Sequence, residues 1–362
     1  MAMLATLLTP PGRGALAVVH LAGPGAKALV ERLVGRTIDG ESRYGKLVRG
    51  GQIVDEVMAR SVAGFSGEET VEVSCHGGAS AEGVLAALEA EGATRATPAE
   101  LLERGVETGH LDRLRAEAWT LLPRALTELS ANVLHDQAEG ALSRAVAAMA
   151  APRDAERLLA TAPLGLSLAL PRKVVLVGSP NAGKSTLFNA LVRADRAIVS
   201  PVPGTTRDPV REFAAIEGVP LEIVDTAGVG QPQDLLEQLS IERTGRALAG
   251  ADVVLFLFDA EAGARGPELL FLERLPHRRV ILLVNKVDVG KKKPLLAALP
   301  VSAKTGEGLD ELRRKILHAL EVRPRHDPGA PVVFTSRQER LLKEASLRPL
   351  EEIREALLRG PA

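Results

Sequence analysis

Residues 178–185 read Gly178-Ser179-Pro180-Asn181-Ala182-Gly183-Lys184-Ser185. The spacing is G-x-x-x-x-G-K-[ST], which suits a polyphosphate. Small residues let successive backbone N–H groups turn inward at the start of a helix, where unpaired amides and the helix dipole favour an anion. The expected cradle is Asn181, Ala182, Gly183, Lys184, Ser185 and Thr186. Within it the Lys184 ammonium would reach the β and γ phosphates, and the Ser185 hydroxyl would ligate Mg2+.

This loop alone does not distinguish ATP from GTP. Four later segments name the base. Asp225-Thr226-Ala227-Gly228 follows an apolar run at 221–224. There Asp225 can hold Mg2+ through water, and the Gly228 N–H can meet the γ-phosphate. Asn285-Lys286-Val287-Asp288 follows the run at 280–284. The Asp288 carboxylate can accept from guanine N1–H and the 2-amino group, a donor pair that adenine lacks, while Lys286 lies along the base. Ser302-Ala303-Lys304 would offer backbone N–H groups to guanine O6. Gly204-Thr205-Thr206-Arg207-Asp208 lies where a loop could bring a threonine to Mg2+. Singly, each later segment is weak. In this order, and with Asp225, Asp288 and Ser302 each following a strand-like run, they specify a guanine nucleotide site, because ligands of open α/β sheets sit at the carboxyl edge.

The elements that must hold these groups alternate. Apolar runs at 174–177, 221–224, 253–258 and 280–284 are separated by helical stretches, the rhythm of a mostly parallel, helix-covered sheet. Before it, strand-like runs at 15–21 and 71–74 mix with helical stretches at 25–34 and 80–90. From 112 to 166 Ala, Leu, Glu and Arg dominate at helical spacing, which predicts two or three amphipathic helices, and 337–359 reads as a last helical stretch after a Pro/Gly linker at 324–330. The fold class expected is α/β: a P-loop nucleotide module at 170–322, inserted in a short helical domain (119–168 and 330–362), preceded by a small α/β domain at 1–118.

The bulk numbers narrow the context. The 362 residues carry 45 Lys plus Arg against 46 Asp plus Glu, so no global charge marks a nucleic-acid binder. Aromatic residues make up 2%, so the cores must be aliphatic. A single cysteine, Cys75, excludes an intrachain disulfide and fits a reducing compartment. The apolar start is short, is broken by Pro10-Pro11-Gly12 and lacks a preceding basic region, and no apolar run reaches the roughly 18 residues of a membrane span. A cytoplasmic protein without a membrane segment is expected. Lys291-Lys292-Lys293 reads as a solvated loop.

The wording and order of the nucleotide motifs resemble the Era/Der/MnmE branch of the Ras-like GTPases. Val229 follows Asp225-Thr226-Ala227-Gly228, where many GTPases carry a water-orienting Gln, so the polar catalytic group must come from elsewhere. The run Glu237-Gln238-Leu239-Ser240-Ile241-Glu242-Arg243 resembles the E-x-x-G-I-E-R of the MnmE (TrmE) tRNA-modification GTPases, with Ser240 for Gly. Near the start, Thr9-Pro10-Pro11-Gly12-Arg13-Gly14-Ala15, Phe65-Ser66-Gly67-Glu68-Glu69, His76-Gly77-Gly78 and Gly109-His110-Leu111-Asp112 resemble further motifs of that family.

This resemblance implies GTP hydrolysis to GDP in tRNA wobble-uridine modification. It implies Glu237 as the group orienting the attacking water, with Lys184 and Gly228 on the phosphates and Thr206 beside Ser185 and Asp225 on Mg2+. It implies K+ held by Asn181, Ser200, Val202 and Thr205 in the place of an arginine finger. It further implies a homodimer formed through the N-terminal domain, a flavoprotein partner, tRNA, and a bound formyl-tetrahydrofolate.

The chain also departs from the pattern. The family's C-terminal C-[IV]-G-K is not matched by Leu357-Leu358-Arg359-Gly360-Pro361-Ala362, and the helical segments are shorter. His20 stands where the family has Arg and His110 where it has Lys, which sets folate binding in question because an imidazole does not replace a bidentate guanidinium. Cys75 reads as a small buried residue. The alternative expectation is therefore a diverged GTPase switch that hydrolyses GTP without the modification chemistry. A non-hydrolysing scaffold fits less well, since Lys184, Ser185, Thr206 and Asp225 are all present.

Overall fold

Alternate residues of the first strands are apolar: Ala17, Val19 and Leu21 on one, Val71, Val73 and Cys75 on another, all buried. A period of two puts such residues on one sheet face. The computed structural model describes residues 2–10, 12, 14–39, 41–194, 210–225, 248, 250–275, 279–289 and 298–360. The chain forms two compact units. One comprises Met1–Pro123, Ala138–Ser143 and Arg354–Ala362; the other comprises Arg124–Gln137 and Arg144–Ile353.

The first unit contains β1 (Leu4–Leu7), β2 (Leu16–Ala22), α1 (Ala26–Val34), β3 (Arg43–Arg49), β4 (Gln52–Ala63), β5 (Glu69–His76), α2 (Ala79–Ala90), β6 (Thr94–Ala96), α3 (Pro98–Glu107) and α4 (Arg113–Leu121). Its sheet order is β3-β4-β5-β2-β1-β6. Only the β1–β6 pairing is parallel. The apolar face packs under α1 and α2 through Leu29, Val30, Val84, Leu85 and Leu88. On the other face, strand register sets Thr6 beside His20, His20 beside Glu72, and Glu72 beside Arg60. The start of α3 is fixed by a capping box, in which Thr97 Oγ1 accepts from Glu100 N and Thr97 N donates to Glu100 Oε2. The strands and helices expected in this unit are present. The β3–β4 ribbon was not anticipated, because its outer face carries apolar residues that blur the alternation: Tyr44 opposite Met58, and Val48 opposite Ile53.

Helices follow at α5 (Glu128–Ala138), α6 (Ala141–Ala147), α7 (Pro152–Leu159) and α8 (Ala162–Ala169). They are shorter and more numerous than the two or three expected between 112 and 166. Pro123, Gly140, Pro152 and Pro163 fall at or beside their boundaries, where proline lacks a donor and clashes with a preceding turn.

The second unit is built on β7 (Arg172–Gly178), α9 (Lys184–Ala194), β8 (Val210–Ile216), β9 (Val219–Asp225), β10 (Val253–Asp259), α10 (Gly266–Arg274), β11 (Val280–Asn285), β12 (Leu299–Pro300) and α11 (Leu309–Ala319). Strand order is β12-β11-β10-β7-β9-β8. All pairings are parallel except β8–β9 at the edge. Val253 to Phe258 are all buried, as a central strand covered on both faces requires. One face packs Leu176, Leu221, Leu255 and Leu283 with Leu312 and Ile316 of α11, and with Val133, Leu164 and Leu168 of the preceding helices. The other face packs Val175, Phe256 and Phe258 with Phe271.

The β8–β9 turn uses Glu217 and Gly218, with φ of 49° and 81°, the two left-handed residues a tight hairpin needs. Its tip meets α5: Thr127 Oγ1 donates to Gly218 O at 2.6 Å. The C-terminal end of α5 is tied to the connector before α12 (Ser336–Lys343) and α13 (Leu350–Arg359). Buried Gln137 donates to Ala330 O at 3.2 Å and accepts from Val332 N at 3.1 Å. Asp136 Oδ2 lies 2.7 Å from His326 Nε2 and accepts from Gly329 N.

Candidate nucleotide site

Strand β7 lies at the sheet centre, between β9 and β10, and the chain leaves it for α9. Reversal of strand order at that point opens a crevice at the carboxyl edge. The loop from Gly178 to Lys184 lies there. Asn181 takes a left-handed φ of 63°, a region Asn tolerates better than most residues. Gly183 has φ of 90°, and a Cβ on it would lie 2.2 Å from Asn285 Nδ2, so glycine is required on both counts.

Lys184 is 5% exposed, and its Nζ donates to Gly178 O and Ser179 O, both at 2.8 Å. Burial holds its ammonium below the usual lysine range, against the opposing pull of Asp225 and Glu268. These carbonyl bonds are neutral-acceptor contacts that the anionic oxygens of a phosphate would outcompete. Ser185 Oγ donates to Asp225 Oδ2 at 2.7 Å. A hydroxyl and a carboxylate so close are the hard oxygen pair that Mg2+ takes, with its remaining positions left to water and phosphate. Among the described residues no cluster of three or more His, Cys, Asp or Glu could hold a metal alone.

The base end is organised by buried brackets. Asn285 is 1% exposed. Its Nδ2 donates to Ala182 O at 2.8 Å and its Oδ1 accepts from Ala303 N at 3.0 Å. It therefore ties the phosphate loop to the 302–304 segment. Ser302 Oγ donates to Asp288 Oδ1 at 2.7 Å and accepts from Thr305 N at 3.1 Å, fixing an exposed carboxylate from beneath. Lys286 holds a φ of 67°, strained for lysine, and its Nζ donates to Asp259 Oδ2 at 2.7 Å. Burial raises the Asp259 carboxyl, but the bonds from Lys286 and from the Glu261 and Ala262 N–H groups hold it below the usual range. Asn181, Ser185, Thr186 and Lys304 are exposed around this edge.

The structure thus brings together Asn181 to Thr186, Asp225, Asn285, Lys286, Asp288 and Ser302 to Lys304 at one edge. Ser200, Val202, Thr205, Thr206, Gly228 and Glu237 lie outside the described residues. Two acids were missed. Asp259 ends β10 beside Asn285 in register, and its place at a strand end was the available signal. Glu268, 1% exposed, caps α10 by accepting from Arg265 N at 2.8 Å; burial pushes its carboxyl up. Nothing in its spacing separated it from an ordinary helix-start glutamate.

Two family models match this chain in separate modules. The family described as 50S ribosome-binding GTPase matches residues 173–286, and that described as GTP-binding protein TrmE N-terminus matches residues 3–110. The chain is 33% identical to the tRNA modification GTPase MnmE of Chloroflexus aurantiacus, covering 99% of this chain and 90% of that protein. It is 32% identical to the protein of the same name from Lactococcus lactis subsp. cremoris, covering 99% and 89%. Among solved structures, a variant of Aquifex aeolicus Era bound to GDP and AlF4- is 32% identical, covering 47% of this chain and 64% of that one, with a TM-score of 0.32. On its full-length similarity and its two matched modules, this chain belongs to the MnmE family of tRNA modification GTPases.

Proposed function

We propose that this GTPase couples Mg2+-dependent GTP hydrolysis to modification of the tRNA wobble uridine. The observation that carries the reading is one chain holding both a nucleotide module with its phosphate, Mg2+ and base groups converging, and the N-terminal unit matched at residues 3–110. Asp288 selects guanine, Lys184 neutralises the phosphates, and Ser185 with Asp225 holds Mg2+ at their oxygens. The metal withdraws charge from the phosphates when bound. Asn181, exposed and in a left-handed conformation, would hold K+ together with Ser200, Val202 and Thr205, and the ion would supply further charge neutralisation. By resemblance, Glu237 would orient the water, Gly228 would donate to the γ-phosphate, and Thr206 would be a further Mg2+ ligand. The domain boundaries expected from sequence belong to the same reading.

Two copies pair through the N-terminal unit, a reading supported by the exposed Tyr44, Val48, Ile53 and Met58 on the β3–β4 ribbon. A flavoprotein and tRNA are the partners, and the cytoplasm is the compartment. Among the described residues, no helix is long and apolar enough to cross a membrane.

A second reading, hydrolysis uncoupled from modification, is favoured by Cys75. It is buried on β5, where desolvation and Asp55 push its thiol up to about 11, so it supplies no thiolate at neutral pH. The deciding experiment is a tRNA nucleoside profile of a strain lacking the gene and of that strain carrying this chain alone. Loss and restoration of the wobble modification support the first reading. An unchanged profile on deletion supports the second.

A further inference from the structure

The family resemblance implies a formyl-tetrahydrofolate in the N-terminal unit, and the residues present do not fit it. His20 and His110 occupy the positions of the family's Arg and Lys, and one short loop brings them together. Phe65 stacks on His20 with ring centroids 6.4 Å apart, and a Cβ on Gly67 would lie 2.6 Å from His110 Nδ1.

That loop is pinned by α3. Thr108 Oγ1 donates to Ser66 O at 2.8 Å, Arg104 Nη2 to Glu68 Oε1 at 3.1 Å, and Gly105 packs so closely on Phe65 O that a Cβ there would lie 2.5 Å from it. Trp119 meets Phe65 edge-on at 5.3 Å and closes the aromatic cover.

Beneath this cover His20 is 3% exposed. Neither of its ring nitrogens has a hydrogen-bond partner, and neither has the neighbouring Thr6 hydroxyl. Glu72, 3.9 Å from His20, is already bound by Arg60 Nε and Nη2 at 2.8 and 2.6 Å. Burial lowers the His20 pKa despite Glu72, so its imidazole stays neutral. Among the described residues the nearby guanidiniums each face a carboxylate: Arg60 bonds Glu72, and Arg104 bonds Glu68 and Ala2 O through Nη2 while its buried Nε has no partner. A reduced folate carries two carboxylates on its glutamate tail, and among the described residues Arg60 and Arg104 beside His20 already pair with Glu72 and Glu68.

We propose that the N-terminal unit of this chain does not hold formyl-tetrahydrofolate: imidazoles at His20 and His110 stand in place of two fixed cations, and the Phe65–Trp119 cover closes over His20. Any one-carbon unit used in a reaction of this protein must then come from another donor or not be used. Each charge-assisted bond lost costs on the order of 10- to 100-fold in affinity.

Isothermal titration of the full chain with 5-formyl-tetrahydrofolate tests this, with no dependence on GTP turnover. The wild type gives no saturable heat. His110→Lys, at an exposed position, and the double variant His20→Arg/His110→Lys gain binding in steps of about 10-fold or more. Saturable binding by the wild type, one ligand per chain, overturns the proposal. Failure of both His110→Lys and a folded double variant to gain saturable binding overturns the assignment of the loss to these two residues. Circular dichroism of each variant verifies folding, and the wild-type titration decides the matter even where the buried His20→Arg does not fold.

Discussion

Replacing Asp288 by Asn probes the base-reading end of the site with a change of one atom type. Ser302 Oγ accepts from Thr305 N at 3.1 Å, so its own proton points to Asp288 Oδ1 at 2.7 Å. The same proton in Asp288→Asn would hold the amide carbonyl in that place and turn the NH2 toward the base. One guanine donor would then face a donor, and the other would meet a neutral acceptor in place of a charged one. Charge-assisted bonds contribute about 1.5–3 kcal/mol each and neutral ones about half that. The combined loss is about 3–4 kcal/mol, or roughly 100- to 1,000-fold in GTP affinity. Xanthine presents a carbonyl where guanine has its 2-amino group, so the variant should bind xanthosine triphosphate better than GTP. Competition titration of a fluorescent guanine nucleotide with both triphosphates reads this directly. GTP affinity within about threefold of wild type, well below the loss worked from these bonds, would refute the placement of the base on Asp288.

Further outcomes follow from the proposed function and from the structure. Turnover of GTP should be faster in K+ than in Na+ and lose that difference in Asn181→Ala; equal rates in wild type would remove the cation role. Glu237→Ala should lower kcat with GTP affinity retained, and an unchanged kcat in single-turnover assays would return Glu237 to a solvated surface. Gln137→Leu strands the buried Val332 N–H at a cost of about 2 kcal/mol and should lower the melting temperature by about 4–8 °C in calorimetry; a change within error would show that the connector relaxes. Burial raises the Asp136 carboxyl, but the bonds from His326 and Gly329 N prevail and hold it below its ordinary value of 3.8. Its stabilisation is thus present above that pH and lost as pH falls through the lowered folded value, so the stability gap between wild type and Asp136→Asn should narrow on acidification. A gap independent of pH would contradict the pairing.

The parts of this fold that read directly from sequence are those where a local pattern and the tertiary environment agree. Val253 to Phe258 form an apolar run because the strand is covered on both faces, and the run at 174–177 leads straight into the phosphate loop. Where environment and pattern diverge, the reading fails. The β3–β4 ribbon alternates poorly because Tyr44, Val48, Ile53 and Met58 are apolar and exposed. The β8 strand leaves little apolar signal beside its neighbour β9, since it is an edge strand with Arg211 and Glu212 in it. The helical series is cut by prolines that periodicity alone passed over.

In the candidate site, the motif residues were legible in the sequence, but their supports were not. Asn285 is a motif residue expected at the nucleotide, and its side chain ties Ala182 to Ala303. Asp259 and Glu268 take their roles from residues distant in sequence, Lys286 and Lys184, so no motif spacing announces them.

The most direct test joins hydrolysis to tRNA. A strain lacking the gene is complemented with this chain or with Lys184→Ala, protein levels are matched, and wobble-uridine modification is measured by mass spectrometry of tRNA nucleosides. Modification restored by the wild-type chain and lost with Lys184→Ala is the predicted result. Modification maintained equally by both would contradict a function driven by GTP hydrolysis.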